Sequence, residues 1–324
     1  MSGSLNRWAQ ARGYEAAVAG FEVVAEVRKT IEALRDEGAF DEDFFSTCLE
    51  SIPYNCDIEE PKTVILLSVP RPAHYITFAA SGRQLDAIIP PTYSRYFEVA
   101  QRVGSDLKSS GVLEPRHRLV PLRAPLKSVA ARIGLVRYGR NNITYTKSSG
   151  SYHQIVGFAS DAPPEAFETS EILESPCLME DCIHCHACAD ACPTGAIPSD
   201  RFLLRAQYCL TFLNEFAGEW PDWVDPAWHN AFVGCMKCQS CCRANAQRYK
   251  LQDTGVAFAE PETSQLLSDE PIPEEAWRAF DRKLEAAGLA GYEQPVVRRN
   301  LRAWIWAEER KAAFGPLFRH ESDG

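Results

Sequence analysis

The sequence has 324 residues, a formal net charge of −10, and 45% apolar and 24% charged residues. Such a chain is long enough for two domains with sizeable cores, and its composition is that of an ordinary globular protein. The acidic balance argues against a nucleic acid bound across the whole surface, and the absence of any run of eighteen apolar residues argues against a membrane span. With no signal-peptide pattern at the N-terminus, we expect a cytoplasmic protein that makes no membrane contact.

Helices and strands are predicted to alternate over the first half of the chain. Apolar residues recur at helical spacing in three segments, and two short apolar runs are typical of buried strands. In chain order, these elements are a helix at 15–37, a strand at 63–69, helices at 94–110 and 126–135, and a strand at 155–158. The alternation favours an α/β layer domain. In the second half, helices are predicted at 200–215, 273–289 and 296–314.

Seven of the 12 cysteines lie in two closely spaced runs. The first run reads C-x2-C-x2-C-x3-C-P and consists of Cys182, Cys185, Cys188 and Cys192. The second reads C-x2-C-x3-C and consists of Cys235, Cys238 and Cys242. The first spacing is that of bacterial ferredoxins, whose cubane clusters are bound by thiolates and whose fourth cysteine ligates the other cluster. The two runs therefore predict two [4Fe–4S] clusters and an electron-transfer role.

Two cubane clusters need eight thiolates, and Cys209, between the runs, is the best eighth. The predicted sets are Cys182, Cys185, Cys188 and Cys242 for one cluster, and Cys192, Cys209, Cys235 and Cys238 for the other. Cys241 could replace Cys242, which we favour because it keeps the x3 spacing of the first run. A zinc site with His184 and His186 is the alternative, although this spacing is not usual for zinc. Cys48, Cys56 and Cys177 fit neither run and are interpreted as ordinary thiols.

A basic stretch stands out in this acidic chain. Residues 115–160 contain no acidic residue and eight basic ones: Arg116, Arg118, Arg123, Lys127, Arg132, Arg137, Arg140 and Lys147. The asymmetry indicates a site for an anionic or strongly polar ligand. The alternative is a solvated basic face.

Further segments flank the cysteine runs, at 61–67, 124–125, 130–135, 138–141, 150–151, 208–210 and 297–301. In this order, and together with the runs, they resemble the epoxyqueuosine reductase family, whose members are related to the reductive dehalogenases. The resemblance extends over about residues 55 to 305. It is most specific in the cysteine pattern and less so in the segment that resembles the corrin-binding part of the family.

The resemblance implies an α+β fold in three consecutive parts. These are a nitroreductase-like α/β domain that binds cobalamin at 1–165, a ferredoxin-like double [4Fe–4S] domain at 170–250, and a short helical extension at 251–324 that packs on the first domain. The residues matched to the corrin-binding segment, and so expected to contact the corrinoid, are Ala124, Gly139, Arg140, Asn141, Asn142, Gly150 and Ser151.

Two departures from the family pattern bear on the reaction. The family carries an Asp-Ser-Ala-Pro segment whose aspartate donates a proton, whereas residues 122–125 here read Leu-Arg-Ala-Pro. Tyr138 or Tyr145, flanked by Arg123 or alternatively Arg140, are the predicted catalytic substitutes, since cleavage of a carbon–oxygen bond usually needs general-acid help. Tyr152 and His153 are weaker candidates, and every one of these aromatic residues has packing as its alternative role. Longer members also carry a helical-repeat tail that helps to hold tRNA, whereas this sequence stops at Gly324, soon after its last predicted helix.

From these observations we expect a cobalamin-dependent iron–sulfur oxidoreductase. A low-potential donor, ferredoxin or flavodoxin, would pass electrons through two clusters to a corrinoid cobalt, which cleaves a carbon–heteroatom bond of a small molecule. The missing aspartate and the net charge argue against tRNA as the substrate. The alternatives are an electron-transfer protein that reductively activates a partner corrinoid protein, and a ferredoxin-like adaptor that has lost its cofactor.

Overall fold

The computed structural model describes residues 4–175 and 178–314, so Cys177 lies outside the described residues. The strands are β1 (Glu15–Gly20), β2 (Thr63–Pro70), β3 (Ala73–Ala80), β4 (Arg83–Ile89), β5 (Leu119–Pro121), β6 (Arg137–Tyr138), β7 (Thr144–Tyr145), β8 (His153–Ser160) and β9 (Leu251–Phe258). The helices are α1 (Leu5–Gln10), α2 (Glu22–Asp36), α3 (Glu42–Cys48), α4 (Tyr96–Ser109), α5 (Leu126–Arg132), α6 (Ala187–Asp190), α7 (Leu210–Glu215), α8 (Lys237–Ser240), α9 (Glu260–Leu267), α10 (Glu274–Ala286) and α11 (Gln294–Phe314).

The chain divides into two compact units that are interleaved along the sequence. The first unit consists of Met1–Pro72, Arg95–Gln207 and Cys238–Tyr249. The second consists of Ala73–Ser94, Tyr208–Lys237 and Lys250–Gly324. The three consecutive domains expected from the sequence stay a prediction, with boundaries that differ from this division.

The first unit is built on a four-stranded antiparallel sheet in the order β1-β2-β8-β5. Strand β2 is central and buried on both faces, as its continuous apolar run predicts. Because side chains alternate across a strand, Val64 and Leu66 share a core with α2 and α5, whereas Ile65 and Leu67 share another with α1 and α4. Helices therefore cover this sheet on both faces.

The second unit contains a three-stranded sheet in the order β4-β3-β9, in which β9 runs parallel to β3. Its core is aromatic: the ring of Phe78 stacks on that of Phe258 with centroids 4.8 Å apart, and it also contacts Phe232. Helices α9, α10 and α11 complete this core. Asn300 of α11 donates from Nδ2 to the backbone oxygen of Asn214 at 2.9 Å and so anchors α7.

Most predicted elements are confirmed, with small shifts at their ends: β2, β8, α4, α5, α10 and α11 lie where they were expected. The helix predicted at 15–37 is wrong over its first six residues, which form β1 because they pair along the edge of β2. The helix predicted at 200–215 is confirmed only for Leu210–Glu215, preceded by a 3-10 turn. Within the described part of the chain, no helix is long and apolar enough to cross a membrane.

Candidate iron–sulfur centre

The first cysteine run wraps around a short helix. Cys182 ends a 3-10 turn and Cys188 lies in α6, and these residues are only 8% and 9% exposed. Burial, followed by the neighbouring side chains of Cys241, Cys182, Cys242 and Cys185, raises the pKa of the Cys188 thiol to about 11. Thiolates this close to one another repel, and a cationic iron cluster is a group that removes the repulsion. The donor set within the first unit thus fits a [4Fe–4S] cluster.

Two adjacent cysteines of the second run differ in their surroundings. The Cys241 sulfur donates to backbone oxygens, those of Ala187 at 3.5 Å and Cys238 at 3.7 Å. The Cys242 side chain instead neighbours Tyr145, whose pKa is raised by burial first and then by Cys242. A thiol that donates to carbonyls keeps its proton, whereas a cluster ligand is a thiolate that accepts hydrogen bonds. This difference supports Cys242 as the ligand that closes the first set.

The second predicted ligand set is divided between the units, with Cys192 and Cys238 in the first and Cys209 and Cys235 in the second. In the second unit, Asn230 donates from Nδ2 to the Cys235 sulfur at 3.3 Å. Its Oδ1 accepts a hydrogen bond from the Met236 amide at 2.7 Å. These bonds close a turn around the Cys235 sulfur and give it a donor, a contact that the cysteine spacing does not reveal.

The zinc alternative finds little support in the histidines. His184 and His186 are both exposed. Across residues 4–175 and 178–314, no three His, Cys, Asp or Glu side chains converge on a single metal ion. Ligands of a cubane cluster need not converge in this way, because each thiolate binds a different iron atom.

The hairpin formed by β6 and β7 reaches the first cysteine run through Arg140. Its Nε donates to the backbone oxygen of Cys185 at 2.8 Å, and its Nη2 donates to that of Cys182 at 2.8 Å. A planar guanidinium presents its donors in a rigid fork that suits two acceptors at fixed positions, whereas a lysine ammonium is a point charge on a flexible stem. The sequence predicts a corrinoid contact for Arg140, whereas its guanidinium holds the backbone of the cysteine loop.

Asn141 and Tyr145 connect the same hairpin to the second run. Asn141 Nδ2 donates to the Tyr145 hydroxyl at 2.9 Å and to the backbone oxygen of Cys238 at 3.3 Å. Burial first, and then the neighbouring Cys242 side chain, raise the pKa of Tyr145. A Cβ atom at Gly139 would lie 2.6 Å from the Tyr145 ring, which explains the glycine at this position.

Gly150 and Ser151 dock against the end of the second run. The Ser151 amide donates to Asn245 Oδ1 at 3.0 Å, and the Ser151 hydroxyl donates to Gln239 Oε1 at 2.8 Å. Gly150 has a φ of +57° and leaves no room for a side chain, since a Cβ there would lie 2.4 Å from Asn245 Oδ1. All the predicted corrinoid residues from Arg140 to Ser151 except Asn142 therefore contact the cysteine-rich part of the first unit or, in the case of Gly150, pack tightly against it.

The three predicted catalytic residues do not form one group. Tyr138 is buried, is hydrogen-bonded to Ser128, and has the Lys127 Nζ 5.5 Å from its ring centroid. Arg123 contacts no tyrosine in the described ranges. Its Nε donates to Asn55 Oδ1 at 2.9 Å, and its Nη2 forms an ion pair with Asp57. Sequence reasoning missed Asp57, which no local pattern connects to Arg123.

Two further candidates have different surroundings. His153 is buried in β8, where Nδ1 faces the Ser68 hydroxyl at 2.9 Å and Nε2 faces the Thr144 oxygen at 3.0 Å. Both contacts are those of a neutral structural histidine, and burial lowers the pKa of His153. The Tyr152 hydroxyl is buried and makes no hydrogen bond among the described residues. Ala124 is partly buried against the core that β2 shares with α2 and α5.

Several side chains of the basic stretch are engaged by groups from outside it. Arg132 pairs with Glu26 at 3.0 Å, Arg116 with Glu114 at 2.9 Å, and Arg118 donates to the Asp57 backbone oxygen at 2.6 Å. Arg123, Lys127 and Arg140 are engaged as well, so six of the eight basic residues have polar partners among the described residues. The site for an anionic ligand that the composition indicates stays a prediction.

Comparison with known protein families shows that residues 181–245, which contain both cysteine runs, match the 4Fe-4S double cluster binding domain. The epoxyqueuosine reductase of Bacillus subtilis is 33% identical over 119 residues, which are 37% of this chain and 28% of that protein. That of Burkholderia pseudomallei is 26% identical over 251 residues, which are 75% of this chain and 58% of that protein. The chain thus spans less than two thirds of the length of these relatives.

Solved structures show the same fold. A structure of the Bacillus subtilis epoxyqueuosine reductase, in which a catalytic aspartate loop is swung out of the active site, has a TM-score of 0.62 and 19% identity over 95% of this chain and 81% of that one. A crystal structure of an epoxyqueuosine reductase with an epoxyqueuosine-modified tRNA stem loop matches with the same TM-score, 0.62, the same 19% identity and the same coverage, 95% and 81%.

These matches confirm the resemblance to the epoxyqueuosine reductases and the double [4Fe–4S] domain. The predicted enzyme class, an iron–sulfur oxidoreductase, agrees with these matches. The expectation of a small-molecule substrate or a partner corrinoid protein was wrong, and so was the argument against tRNA, because the relatives are named for a tRNA nucleoside and one is solved with its tRNA stem loop. The argument failed because net charge describes a whole surface, whereas nucleic acid binds locally.

Proposed function

We propose that this chain, a relative of the epoxyqueuosine reductases, is an iron–sulfur oxidoreductase that reduces an epoxyqueuosine-type nucleoside in a tRNA stem loop. The strongest support is the double-cluster domain at 181–245 within a chain that follows the reductase fold over 95% of its length. The contacts between residues 140–151 and the cysteine loops give further support. Within the first unit, they connect the α/β part to the loops proposed to carry the electrons.

The two clusters supply the electrons in this proposal. Reduction of an epoxide consumes two electrons and two protons. One proton goes to the departing oxygen as its carbon–oxygen bond breaks, and the second either reaches the carbon or releases that oxygen as water. Each cubane cluster carries one electron, so two clusters match the requirement. The ligand sets are those given by the cysteine spacing, with Cys242 closing the first, and a ferredoxin or flavodoxin is the external donor.

Proton delivery is assigned to Asp57, which would take up a proton from water and pass it to the substrate, in place of the aspartate that the related enzymes carry on their catalytic loop. Leu122, at the matching position, is buried in the core and has no acid to offer. Asp57 pairs with Arg123 of the same segment, and its side chain is 69% exposed, so a substrate can reach it. Arg123 thus still lies beside the proposed proton donor, but that donor is the carboxylic acid of Asp57 and not a tyrosine.

A corrinoid fits the polar groups that the first unit leaves without partners. Asn142 Nδ2 and the Tyr152 hydroxyl are buried and make no hydrogen bond among the described residues. Such donors would satisfy the amide side chains of a corrin ring, and buried polar groups are rarely left unsatisfied. When bound, a corrinoid would supply a strongly reducing cobalt centre for breaking the carbon–oxygen bond, while these residues hold and orient the ring.

The test is reduction of a modified stem loop. Protein reconstituted anaerobically with iron, sulfide and hydroxocobalamin is mixed with an epoxyqueuosine-modified tRNA stem loop and a low-potential reductant, and the digested nucleosides are analysed by mass spectrometry. We expect the modified nucleoside to be converted to its reduced form. Cys188→Ser should abolish conversion, and the matched control Cys48→Ser should not. A cluster-loaded, cobalamin-treated protein that leaves the nucleoside unchanged would contradict the proposed substrate.

A further inference from the structure

A cavity of about 550 Å³ lies beside α11 in the second unit. Trp220, Arg298 and Trp306 are among the residues that line it, and every lining residue belongs to that unit. Its volume is within the range of sites for small organic ligands, roughly 300–1,000 Å³. None of the described residues that line it is a predicted cluster ligand or is assigned to the proposed reaction. The cavity therefore has a role of its own.

Two arginines of α11 that line this cavity meet at one carbonyl group. Arg298 and Arg302 both donate from Nη2 to the backbone oxygen of Ser268, just after the end of α9. The Arg298 Nε also donates to the Leu266 oxygen at 3.2 Å. The Arg302 Nε donates to the Leu267 oxygen at 3.0 Å. These bonds fix both guanidinium groups and bring two positive charges close together, which favours an anion beside them.

Part of each guanidinium group remains available to a ligand. A guanidinium has five N–H donors, and neither Nη1 makes a hydrogen bond to any described residue. Arg302 pairs with Asp269 at 2.9 Å, but that side chain is 97% exposed, so water screens the pair. The lining adds one further acid, Glu219, and one further arginine, Arg299, so positive charge is in excess. Free guanidinium donors of this kind suit a phosphate group.

An aromatic ring and an unpaired amide complete the lining. Trp306 is 38% exposed, and the Arg310 guanidinium lies 4.6 Å from the centroid of its ring. An exposed tryptophan ring is a surface on which a planar base can stack. Gln294 Nε2 is buried and makes no hydrogen bond within the described part of the chain. Because buried donors are rarely left without a partner, an acceptor atom of a ligand in the cavity would satisfy it.

We propose that this cavity binds a nucleotide, with its phosphate against the Nη1 groups of Arg298 and Arg302 and its base stacked on Trp306. A bare phosphate would leave Trp306 and Gln294 unused, and an uncharged aromatic ligand would leave the arginine donors unused. The combination therefore favours a ligand that has both parts. The nucleotide is either free in solution or an unpaired nucleotide of a tRNA stem loop, and only the second source rests on the proposed function.

The experiment is isothermal titration calorimetry of the reconstituted full-length protein with adenosine monophosphate and, separately, with an unmodified tRNA stem loop, at one fixed salt concentration. Trp306→Ala should weaken binding about tenfold, as expected for the loss of one stacked base. Trp223→Ala is the matched control, because Trp223 is 42% exposed in the same unit and does not line the cavity. Arg298→Gln should also weaken binding, whereas Arg278→Gln, at an exposed arginine of α10, should not.

The two ligands distinguish the two sources. Adenosine monophosphate that binds the wild type and binds Trp306→Ala more weakly assigns the site to a free nucleotide. Binding of the stem loop alone, weakened in the same variant, assigns it to a nucleotide of tRNA. Should Arg298→Gln fail to fold, because its bonds hold the end of α9, the exposed Trp306 position carries the test.

The inference and the proposed function can fail separately. If neither ligand binds, or if neither loses affinity in Trp306→Ala relative to Trp223→Ala, the inference is overturned. The proposed function then still stands on conversion of the modified nucleoside, which is a different measurement. If that conversion fails while adenosine monophosphate binds in a manner that depends on Trp306, the proposed function falls and the nucleotide site remains.

Discussion

Asn245 and Ser151 are joined by two hydrogen bonds that leave neither side chain free to move. The Ser151 amide donates to Asn245 Oδ1 at 3.0 Å, and Asn245 Nδ2 donates to the Ser151 hydroxyl at 2.8 Å. Both residues are buried, so these bonds are not exchanged for bonds to water. They fix the chain after β7 to the chain after the last predicted cluster ligand, although 94 residues separate them.

The first prediction concerns the glycine beside this pair. Gly150→Ala should lower the free energy of unfolding by more than Gly38→Ala, measured by urea titration. Both glycines have positive φ, so both variants carry the cost of a left-handed alanine, about 1–2 kcal/mol. Only at Gly150 does the new Cβ also meet Asn245, at 2.4 Å, which should add about 1–3 kcal/mol. Equal losses would contradict the tight docking.

The second prediction separates the adjacent cysteines. Cys242→Ser should reduce the iron content from about eight to about four atoms per chain, because each cubane cluster contains four irons. Cys241→Ser should keep the full content, since its sulfur is bonded to backbone oxygens. Iron and sulfide analysis after anaerobic reconstitution measures both. The reverse pattern would assign the ligand to Cys241.

The third prediction concerns Arg140. Arg140→Lys should make the cluster absorbance bleach faster in air than in the wild type, because a flexible ammonium holds the Cys182 and Cys185 carbonyls less firmly than the rigid fork of the guanidinium does. Arg137→Lys, an exposed change in the same hairpin, is the matched control. Bleaching at the same rate in all three proteins would show that the guanidinium bridge is dispensable.

The fourth prediction tests the proposed acid. Asp57→Asn should lower the rate of nucleoside reduction about 10²-fold while leaving the iron content unchanged, as expected for loss of a proton donor. Glu114→Gln removes another exposed acid that is paired with an arginine, Arg116, and serves as the control. If Asp57→Asn keeps the wild-type rate, the proton comes from another group.

The fifth prediction concerns pH. Burial lowers the pKa of His153 in the folded state, so the unfolded chain binds a proton more readily. The contribution of neutral His153 to the free energy of unfolding is fully present above its pKa in the unfolded chain, about 6.5. It is lost as the pH falls from there through the lower pKa of the folded state. Urea unfolding between pH 7.5 and 5 should show this loss in the wild type, and His153→Gln should reduce it. An unchanged slope would exclude His153 as its source.

The sequence predicted what is encoded locally. The cysteine spacing identified the double-cluster domain, and the apolar run at 63–69 identified the central strand, because each depends on neighbouring residues. The same reasoning assigned Glu15–Gly20 to a helix, since its small apolar residues fit either pattern and only pairing with β2 decides between them. The hairpin of β3 and β4 was missed, along with β9, whose partner in the sheet lies more than 170 residues earlier.

The parts of the site that were not predicted depend on long-range pairing. Asp57 and Arg123 are 66 residues apart, and the partners of Arg140 are 42 and 45 residues away. Composition alone could not show how the basic side chains of residues 115–160 are engaged, because the acids and carbonyls that several of them contact come from other segments. Substrate choice was mispredicted for a similar reason, since a global charge was used for a local surface.

The bridge between Arg140 and the cysteine loop has a consequence for how the centre is assembled. The carbonyls of Cys182 and Cys185 are held by a side chain that remains charged whether or not iron is bound. The loop can therefore keep its shape during cluster insertion, and a cluster destroyed by oxygen would leave behind a scaffold ready for repair. A protein built in this way is expected to regain its iron in the cell without first refolding.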